Sequence, residues 1–356
     1  MVQNKSLIFA SIPSGLPKPG QDLKVEDRPI DLDNPSVPSN GLLLQNFYAS
    51  FDPYQRGRMR DAKIKSYSPA FPLNEPITNS TISRVIKSSN ANFKEGDTVF
   101  VLGACPIAEY AVIPGEVVEK GAVRKLDNKY NLDPKHFLGA LGMPGLTAYS
   151  SLYKIGEPKK GETIFISAAS GAVGQLVGQL AKHEGLKVIG SVGDDEKLKY
   201  IKEELGFDGG FNYKKEKPVE ALRRLAPEGL DIYYENVGGE QLEAAISCMK
   251  DHGRIIACGM ISQYNVKSPE EAYPIRNLMQ VVAKRLKIQG FIVGDPGMGP
   301  SMHKDHQENV QKWMSEGKFS AKFHETKGIE NGPQGLVDML TGKNFGKAIL
   351  VIKEME

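Results

Sequence analysis

The chain has 356 residues, of which 25% are charged, and its formal net charge is +2. This near-neutral balance without a sustained basic run argues against a nucleic-acid partner, and no apolar run approaches the roughly 20 residues that a membrane-spanning helix requires. The length predicts two domains, and because the first residues lack the apolar core of a secretory signal we expect a cytoplasmic protein.

The first part of the chain predicts a β domain. Residues 1–133 contain many prolines and glycines between short β-like runs, which are 41–49, 82–86, 98–101 and 109–113. Such spacing is typical of an irregular, barrel-like sheet.

A strand, a tight turn and a helix start are predicted at 163–174. Ala169, Gly171 and Gly174 occupy the three small positions of G-x-G-x-x-G. In that pattern the backbone turns sharply, and a dinucleotide pyrophosphate approaches the positive N-terminus of the helix. A strand–glycine turn–helix also serves as a plain packing connection, so the motif alone leaves both interpretations open.

Six candidate strands alternate with helical patterns after this start. The strands are 163–166, 187–191, 210–212, 231–234, 254–258 and 286–293, and the first two helices are 175–185 and 194–205. This order predicts an α/β fold with a doubly wound parallel sheet of the Rossmann type. A later helix, 334–340, and a final strand, 347–352, would return to the first domain.

Cysteine and histidine spacing gives no sign of a metal centre. Cys105, Cys248 and Cys258 lie far apart without a C-x-x-C pair, which excludes a four-cysteine zinc site. We expect these residues to act as small hydrophobes. His303 and His306 belong to a polar segment, 301–309, and are expected on a solvated face, while an amphipathic helix is predicted at 304–317.

Six motifs occur in the order found in one enzyme family. They are Asp-Pro-Tyr-Gln-Arg-Gly-Arg-Met at 52–59, Gly-Met-Pro-Gly-Leu-Thr-Ala-Tyr at 142–149, the turn at 167–174, Asn-Val-Gly-Gly at 236–239, Cys-Gly-Met-Ile-Ser-Gln-Tyr at 258–264 and Gly-Lys-Asn-Phe-Gly-Lys at 342–347. Over nearly its whole length the chain resembles the zinc-independent branch of the medium-chain dehydrogenase/reductase superfamily. Prostaglandin reductases and plant alkenal double-bond reductases are the most similar group.

This resemblance implies a fold and a reaction. It implies a GroES-like β-barrel domain formed by 1–133 and 318–356, and an NADPH-binding Rossmann domain formed by 134–317. The implied reaction is reduction of the C=C bond of an α,β-unsaturated aldehyde or ketone, without a metal. A homodimer through the edge strand 286–293 is also implied, although a covered edge would look the same in sequence.

The resemblance also implies a set of cofactor contacts. These residues are Gly171, Ala172, Val173, Gly174, Lys197, Tyr213, Asn236, Cys258, Gly259, Ile261, Tyr264, Phe291, Val293 and Asn344. Lys197 and Tyr213 would bind the 2′-phosphate. Asp194 and Asp195 are interpreted as an N-cap and a first-turn acid rather than as ligands of a ribose hydroxyl.

Two tyrosines are the catalytic candidates. Hydride addition to the β-carbon of a conjugated carbonyl leaves charge on a remote oxygen, which hydrogen-bond donors can stabilise. Tyr264 is the first candidate, because a phenol with an unperturbed pKa near 10 stays protonated at neutral pH. Tyr54 is the second, as a wall of the substrate pocket with a polar tip. Arg56 and Arg58 are interpreted as structural.

The substrate pocket departs from the family pattern. Ile107 stands in the segment where many relatives carry tryptophan, and Gly294 stands where prostaglandin reductases carry tyrosine and double-bond reductases carry serine. Asn-Ser-Thr at 79–81 replaces a glycine-containing approach to its strand. A quinone reductase of the same architecture, and an NADPH-binding protein without turnover, are the alternative functions.

Overall fold

The computed structural model describes residues 1–355 and contains two compact units. The first, called here the β unit, comprises Met1–Leu138 and the chain from Phe323 onward. The second, called the Rossmann unit, is the continuous segment Gly139–Lys322.

The strands, in chain order, are β1 (Lys5–Phe9), β2 (Leu23–Asp27), β3 (Leu42–Ser50), β4 (Glu75–Pro76), β5 (Thr78–Ser88), β6 (Thr98–Pro106), β7 (Tyr110–Ile113), β8 (Val123–Lys125), β9 (Thr163–Ile166), β10 (Lys187–Val192), β11 (Gly209–Asn212), β12 (Leu230–Glu235), β13 (Met249–Ala257), β14 (Lys287–Gly290), β15 (Phe323–Lys327) and β16 (Lys347–Val351). The α-helices are α1 (Tyr54–Arg58), α2 (Gly115–Glu119), α3 (Met143–Ser151), α4 (Gly174–His183), α5 (Asp195–Glu203), α6 (Pro218–Leu225), α7 (Gly239–Cys248), α8 (Met279–Ala283), α9 (Gly299–Ser315) and α10 (Gly332–Leu340). Short 3₁₀ turns occur at Pro134–Leu138, Ile261–Gln263, Pro269–Glu271 and Ile329–Asn331, and a π-helical turn occurs at Leu152–Gly156.

Two sheets form the β unit. The larger sheet runs β15-β16-β3-β5-β6-β8, with β7 also paired to β3, and the smaller one runs β2-β1-β4. β16 pairs antiparallel with β3, placing Ile349 opposite Ser50. The last strand of the chain therefore completes a sheet that begins near the N-terminus.

The Rossmann unit contains one parallel sheet in the order β11-β10-β9-β12-β13-β14. The predicted fold class, a doubly wound parallel sheet together with a β domain, is confirmed. The central strands are apolar because helices cover both faces of such a sheet. Phe165 of β9, for example, stacks on Tyr233 of β12 with 4.9 Å between ring centroids, and both are fully buried.

The edge strand is shorter than predicted. The sequence pattern indicates a strand at 286–293, whereas β14 ends at Gly290. Gly290 lies opposite Ala257, the last residue of β13. The ladder stops there because its neighbour provides no further residues to pair with.

Local contacts explain where the two units divide. The predicted domain boundaries are after residues 133 and 317, whereas the units divide after Leu138 and Lys322. The turn Pro134–Leu138 packs against β3 and β5 of the β unit. In the Rossmann unit, Gln179 exchanges two 2.8 Å hydrogen bonds with the backbone of Ser320.

His306 differs from the prediction of a solvated side chain. It is fully buried on α9, which packs against α3. Its Nε2–H donates to the carbonyl oxygen of Ala140 at 2.8 Å, and its Nδ1 accepts from the Gln307 amide at 3.1 Å. Burial lowers the pKa of His306 to about 4. The prediction was wrong because the neighbouring residues in the sequence are polar, although His306 itself lies on the face of α9 that packs inward.

None of the helices in the described part of the chain is both long and apolar enough to span a membrane.

We expect acid to destabilise the protein through His306. An unfolded histidine titrates near pH 6.5, and folded His306 near 4, so between these values the unfolded chain binds more protons. The contribution is complete above pH 6.5 and falls by about 3 kcal/mol as the pH drops through the folded-state pKa. Urea unfolding of His306→Gln between pH 7.5 and 4.5 should show a shallower pH dependence than the wild type.

Exposed His252, which has a φ of 62°, provides the control. His252→Asn keeps a residue that tolerates this backbone conformation and controls for the removal of a histidine at an exposed position. Equal pH dependence in the wild type and His306→Gln would contradict the assignment.

Candidate functional site

The turn between β9 and α4 has the form expected for an anion cradle. The Gly171 N–H donates to the Ala168 carbonyl at 2.9 Å, and Ala168 itself has a φ of 48°. No side chain caps α4, whose N-cap is Val173. The helix therefore begins with backbone N–H groups and a positive dipole end, both of which attract an anion.

The two glycines of this turn have different roles. A Cβ at Gly174 would lie 2.4 Å from the Ala168 oxygen and 2.8 Å from the Ala169 Cα, so only glycine allows the helix to pack against the turn. A Cβ at Gly171 would meet only the Ala168 oxygen, at 3.1 Å. Gly171, Ala172 and Val173 are half-buried and line the outer side of the turn.

Lys197, Asp194 and Tyr213 lie together at the carboxyl end of β10. Asp194 caps α5 by accepting the Lys197 N–H at 2.8 Å, as the sequence predicts. Its other carboxylate oxygen lies 3.3 Å from Lys197 Nζ. The hydroxyl of Tyr213 would lie 3.1 Å from a Cβ at Gly193. An anion bound here would share Lys197 with Asp194.

Asp195 is also occupied by neighbours within the protein. Its carboxylate accepts from the Asn212 amide at 2.9 Å and from Lys215 Nζ at 2.5 Å. The predicted role as a first-turn acid of α5 agrees with this geometry.

Asn236 follows β12 and is held by the turn after β9. Its backbone N–H donates to Ser167 Oγ at 2.9 Å, and its Nδ2 donates to the Ser167 carbonyl at 2.8 Å. The side chain is thereby fixed through its nitrogen, and Oδ1 is the acceptor that it can offer to a ligand. Sequence reasoning missed Ser167 as the anchor.

Glu235 is a second positioning residue that the sequence analysis missed. It is fully buried, and its Oε1 accepts from Tyr233 Oη at 2.8 Å, Val237 N–H at 2.6 Å and Gly238 N–H at 2.8 Å. Its Oε2 is buried without a partner among the described residues, and burial raises the pKa of Glu235. The sequence signal that could have identified Glu235 is an acidic residue at the end of an apolar strand, directly before a turn.

The loop after β13 is tied to the loop after β12. The N–H groups of Cys258 and Gly259 both donate to the Glu235 carbonyl at 3.0 Å, and the Ile261 N–H donates to the Asn236 carbonyl at 3.1 Å. Burial of the thiol raises the pKa of Cys258 to about 12. The thiol of Cys258 is therefore neutral at physiological pH.

Tyr264 folds back over its own loop. Its hydroxyl oxygen accepts the Met260 N–H at 3.3 Å, and the side chain is half-buried. A Cβ at Gly259 would lie 2.9 Å from that hydroxyl. Gly259 therefore leaves the space in which the phenol lies, close to the carboxyl end of β13.

The remaining predicted residues of the Rossmann unit follow β14. Phe291 and Val293 are half-buried, while Gly294 is exposed and has open space where a side chain would be.

The β unit contains three predicted site residues with different environments. Ile107 is fully buried in the core with Leu7 and Ile77, so its side chain packs internally instead of lining an open pocket. Asn344 closes a turn by donating to the Gly346 carbonyl at 2.7 Å. The Tyr54 hydroxyl donates to a neighbouring side chain, that of residue 79, at 2.8 Å.

The two arginines near Tyr54 make structural contacts. Arg56 donates to the Gly15 carbonyl, and Arg58 donates to the carbonyls of Pro69 and Thr78. No cluster of three or more His, Cys, Asp or Glu side chains within residues 1–355 is arranged to hold a metal ion.

Comparisons with known proteins cover the whole chain. The family model described as "N-terminal domain of oxidoreductase" matches residues 5–120, and the one described as "Zinc-binding dehydrogenase" matches residues 172–312. The chain is 54% identical to the NADP-dependent oxidoreductase RED1 of Cochliobolus heterostrophus, covering 100% of this chain and 99% of the relative.

Two plant enzymes and one solved structure are also similar. The chain is 40% identical to an NADP⁺-dependent 2-alkenal reductase of Nicotiana tabacum, with coverage of 99% and 98%, and 36% identical to (+)-pulegone reductase of Mentha piperita, with coverage of 99% for both chains. CurA of Vibrio vulnificus, solved in complex with NADPH, is 34% identical, with a TM-score of 0.88 and coverage of 99% and 100%.

Proposed function

The chain belongs to the zinc-independent medium-chain dehydrogenase/reductases, in the group that contains the alkenal reductases, and on this basis we propose that it uses NADPH to reduce the C=C bond of α,β-unsaturated aldehydes and ketones. The observation that carries the proposal is full-length similarity to a 2-alkenal reductase and a pulegone reductase. The broader assignment of the chain to the NADP-dependent oxidoreductases is also supported by the relative with 54% identity.

The residues present fit NADPH. The uncapped start of α4, with Gly174 packed against Ala168, suits a pyrophosphate. Lys197, in the first turn of α5, suits a 2′-phosphate, because its ammonium group, which lies 3.3 Å from Asp194, can make a charge-assisted hydrogen bond to a phosphate oxygen. Asn236, Gly259 and Tyr264 lie at the carboxyl ends of β12 and β13, the edge at which open α/β sheets bind ligands.

Hydrogen bonding by the protein would assist the reaction at the substrate oxygen. When bound, NADPH supplies a hydride, which in this reaction is accepted by the β-carbon of the substrate. Negative charge then develops on the carbonyl oxygen, where a neutral phenol can donate a hydrogen bond. Tyr264 is the proposed donor, and the glycine at 259 keeps its hydroxyl at the sheet edge.

Oligomeric state and location are further proposals. β14 is an edge strand with an exposed apolar side chain, Ile288, and the preceding helix α8 exposes two more, Met279 and Val282. Such an edge suits pairing with a second copy, and light scattering that gives a monomer mass would contradict a homodimer. All three cysteines are free thiols, which suits the reducing cytoplasm.

A substrate panel tests the proposed reaction. Purified protein should oxidise NADPH only when an activated alkene such as a 2-alkenal or an enone is added, with deuterium from labelled cofactor appearing at the β-carbon. Selective turnover of quinones would favour the alternative reductase. Saturable NADPH binding without turnover across enals, enones and quinones would favour a binding protein.

Loss of Lys197 from the first turn of α5 should affect one cofactor selectively. Lys197→Ala should weaken NADPH binding about 10-fold or more, because a charge-assisted contact to phosphate is lost. NADH use should stay nearly unchanged. The control is Lys199→Ala, which removes an exposed lysine of the same helix that pairs with Glu203 at 3.8 Å. An equal loss for both cofactors would remove Lys197 from the 2′-phosphate site.

Changes at the phenol should lower turnover more than cofactor affinity. Tyr264→Phe should reduce kcat by about 100-fold, the usual effect of losing one donor to a developing oxyanion. Gly259→Ala should reproduce part of this loss by displacing the hydroxyl, which lies 2.9 Å from the added Cβ. Gly297→Ala, where the Cβ meets open space, is the matched control. Unchanged turnover in Tyr264→Phe would contradict the assignment.

A further inference from the structure

A buried chain of polar side chains in the β unit ends at Tyr54. It starts at Lys347 of β16, whose Nζ donates to Asp52 Oδ1 at 2.8 Å and to the Phe51 carbonyl at 2.6 Å. Lys347 and Asp52 are 1% and 3% exposed. This ion pair fixes Asp52 as an acceptor beside Asn79.

Asn79 can adopt only one amide orientation in this chain. Its Nδ2 donates to the Ser50 carbonyl at 2.8 Å and to Asp52 Oδ2 at 3.0 Å, so both amide hydrogens are used. Its Oδ1 accepts from the Ser80 N–H at 2.8 Å and from the Tyr54 hydroxyl at 2.8 Å. Reversing the amide would place its hydrogens against the Ser80 N–H and its oxygen against two acceptors, the Ser50 carbonyl and the Asp52 carboxylate.

The contact with Asn79 determines what Tyr54 can do. A phenol has one hydrogen to donate, and Tyr54 gives it to Asn79 Oδ1. Burial and the charge of Asp52 raise the pKa of Tyr54, which outweighs the opposite effect of Arg58, so the phenol stays neutral. Besides Arg58, whose side chain hydrogen-bonds to the phenol oxygen, any further partner meets that oxygen as an acceptor.

Gly103 lies beside this hydroxyl. That residue has a φ of 65°, and a Cβ there would lie 3.8 Å from Tyr54 Oη. Tyr54 is half-buried, unlike Asn79, which is 1% exposed. The fixed acceptor is thus the part of the polar chain that lies nearest the surface.

We propose that Asn79 is a positioning and specificity-determining residue. Because it holds the Tyr54 proton, the Tyr54 hydroxyl acts as an acceptor for a hydroxyl group on a conjugated aldehyde or ketone substrate. This inference rests on the proposed function and on the resemblance that places Tyr54 at the substrate. It assigns to Tyr54 the role of a hydrogen-bond acceptor. Asn79 begins the Asn-Ser-Thr segment that replaces a glycine-containing approach in the family pattern, and glycine has no side chain that could supply this contact.

The hydrogen bond can be tested without turnover. In protein labelled with ¹³Cζ-tyrosine, Tyr54→Phe identifies the Tyr54 resonance, and Asn79→Ala should shift it because the phenol loses its acceptor. Ser83→Ala provides the control, since it removes a buried hydroxyl of the same strand that donates to Asn46 at 2.7 Å. A Tyr54 resonance that responds to neither change, or equally to both, would overturn the assignment.

Substrate selectivity tests the consequence. 2-Alkenals with a hydroxyl at carbon 4, 5 or 6 are compared with their O-methyl ethers, which lack the donor. For at least one pair the wild type should favour the hydroxyl form in kcat/KM by about three- to tenfold, the range of one net hydrogen bond. Tyr54→Phe and Asn79→Ala should each reduce this ratio, and Asn79→Ala should change it no further in the Tyr54→Phe background.

The outcomes separate the two proposals. A wild type that reduces no 2-alkenal would contradict the proposed function, while the ¹³C resonance would still decide whether Asn79 holds the proton. Turnover of both members of every pair at equal kcat/KM would leave the proposed function standing and overturn the specificity role. If Asn79→Ala does not fold, the ratio in Tyr54→Phe decides: a ratio unchanged from the wild type overturns the proposal.

Discussion

Hydrogen bonds between the ends of β9 and β12 hold the part of the Rossmann unit on which the candidate site depends. Ser167 anchors Asn236, while the buried carboxylate of Glu235 collects the N–H groups of the next turn. In a parallel sheet whose strand order reverses between these two strands, the loops diverge and open a crevice. Without cross-links between them, each loop would fluctuate independently. The backbone carbonyl of Glu235 extends the same network to the loop that carries Tyr264.

The sequence predicted the features that depend on local patterns. Alternation of apolar runs with helical spacing was sufficient for the six strands of the parallel sheet, and small residues at 169, 171 and 174 located the turn. Asp194 was recognised as a cap because capping is a contact over three residues. Strand ends were less accurate, since the length of β14 is limited by its neighbour β13 and not by its own apolar residues.

Contacts between residues far apart in the chain could not be derived in this way. Lys347 and Asp52 are 295 positions apart, and neither position alone shows that it is buried. His306 looked solvated because its neighbours in sequence are polar, although α3 covers the face on which it lies. Ile107 was expected to line a pocket, but its side chain packs in the core. The departure from the family motif showed that the residue differs, and it did not show in which direction the side chain points. The proposed role of Asn79 depends on hydrogen bonds to four partners, whose positions the sequence does not give.

The ion pair between Lys347 and Asp52 has a consequence for the order of events during synthesis. Until β16 leaves the ribosome, Asp52 would be buried beside Asn79 without its counter-charge, which is a costly state for a carboxylate. The Rossmann unit is one uninterrupted segment and needs nothing from the C-terminus to close its sheet. The N-terminal half of the β unit is therefore translated first but completed last, which makes it the region most dependent on protection while the chain is nascent.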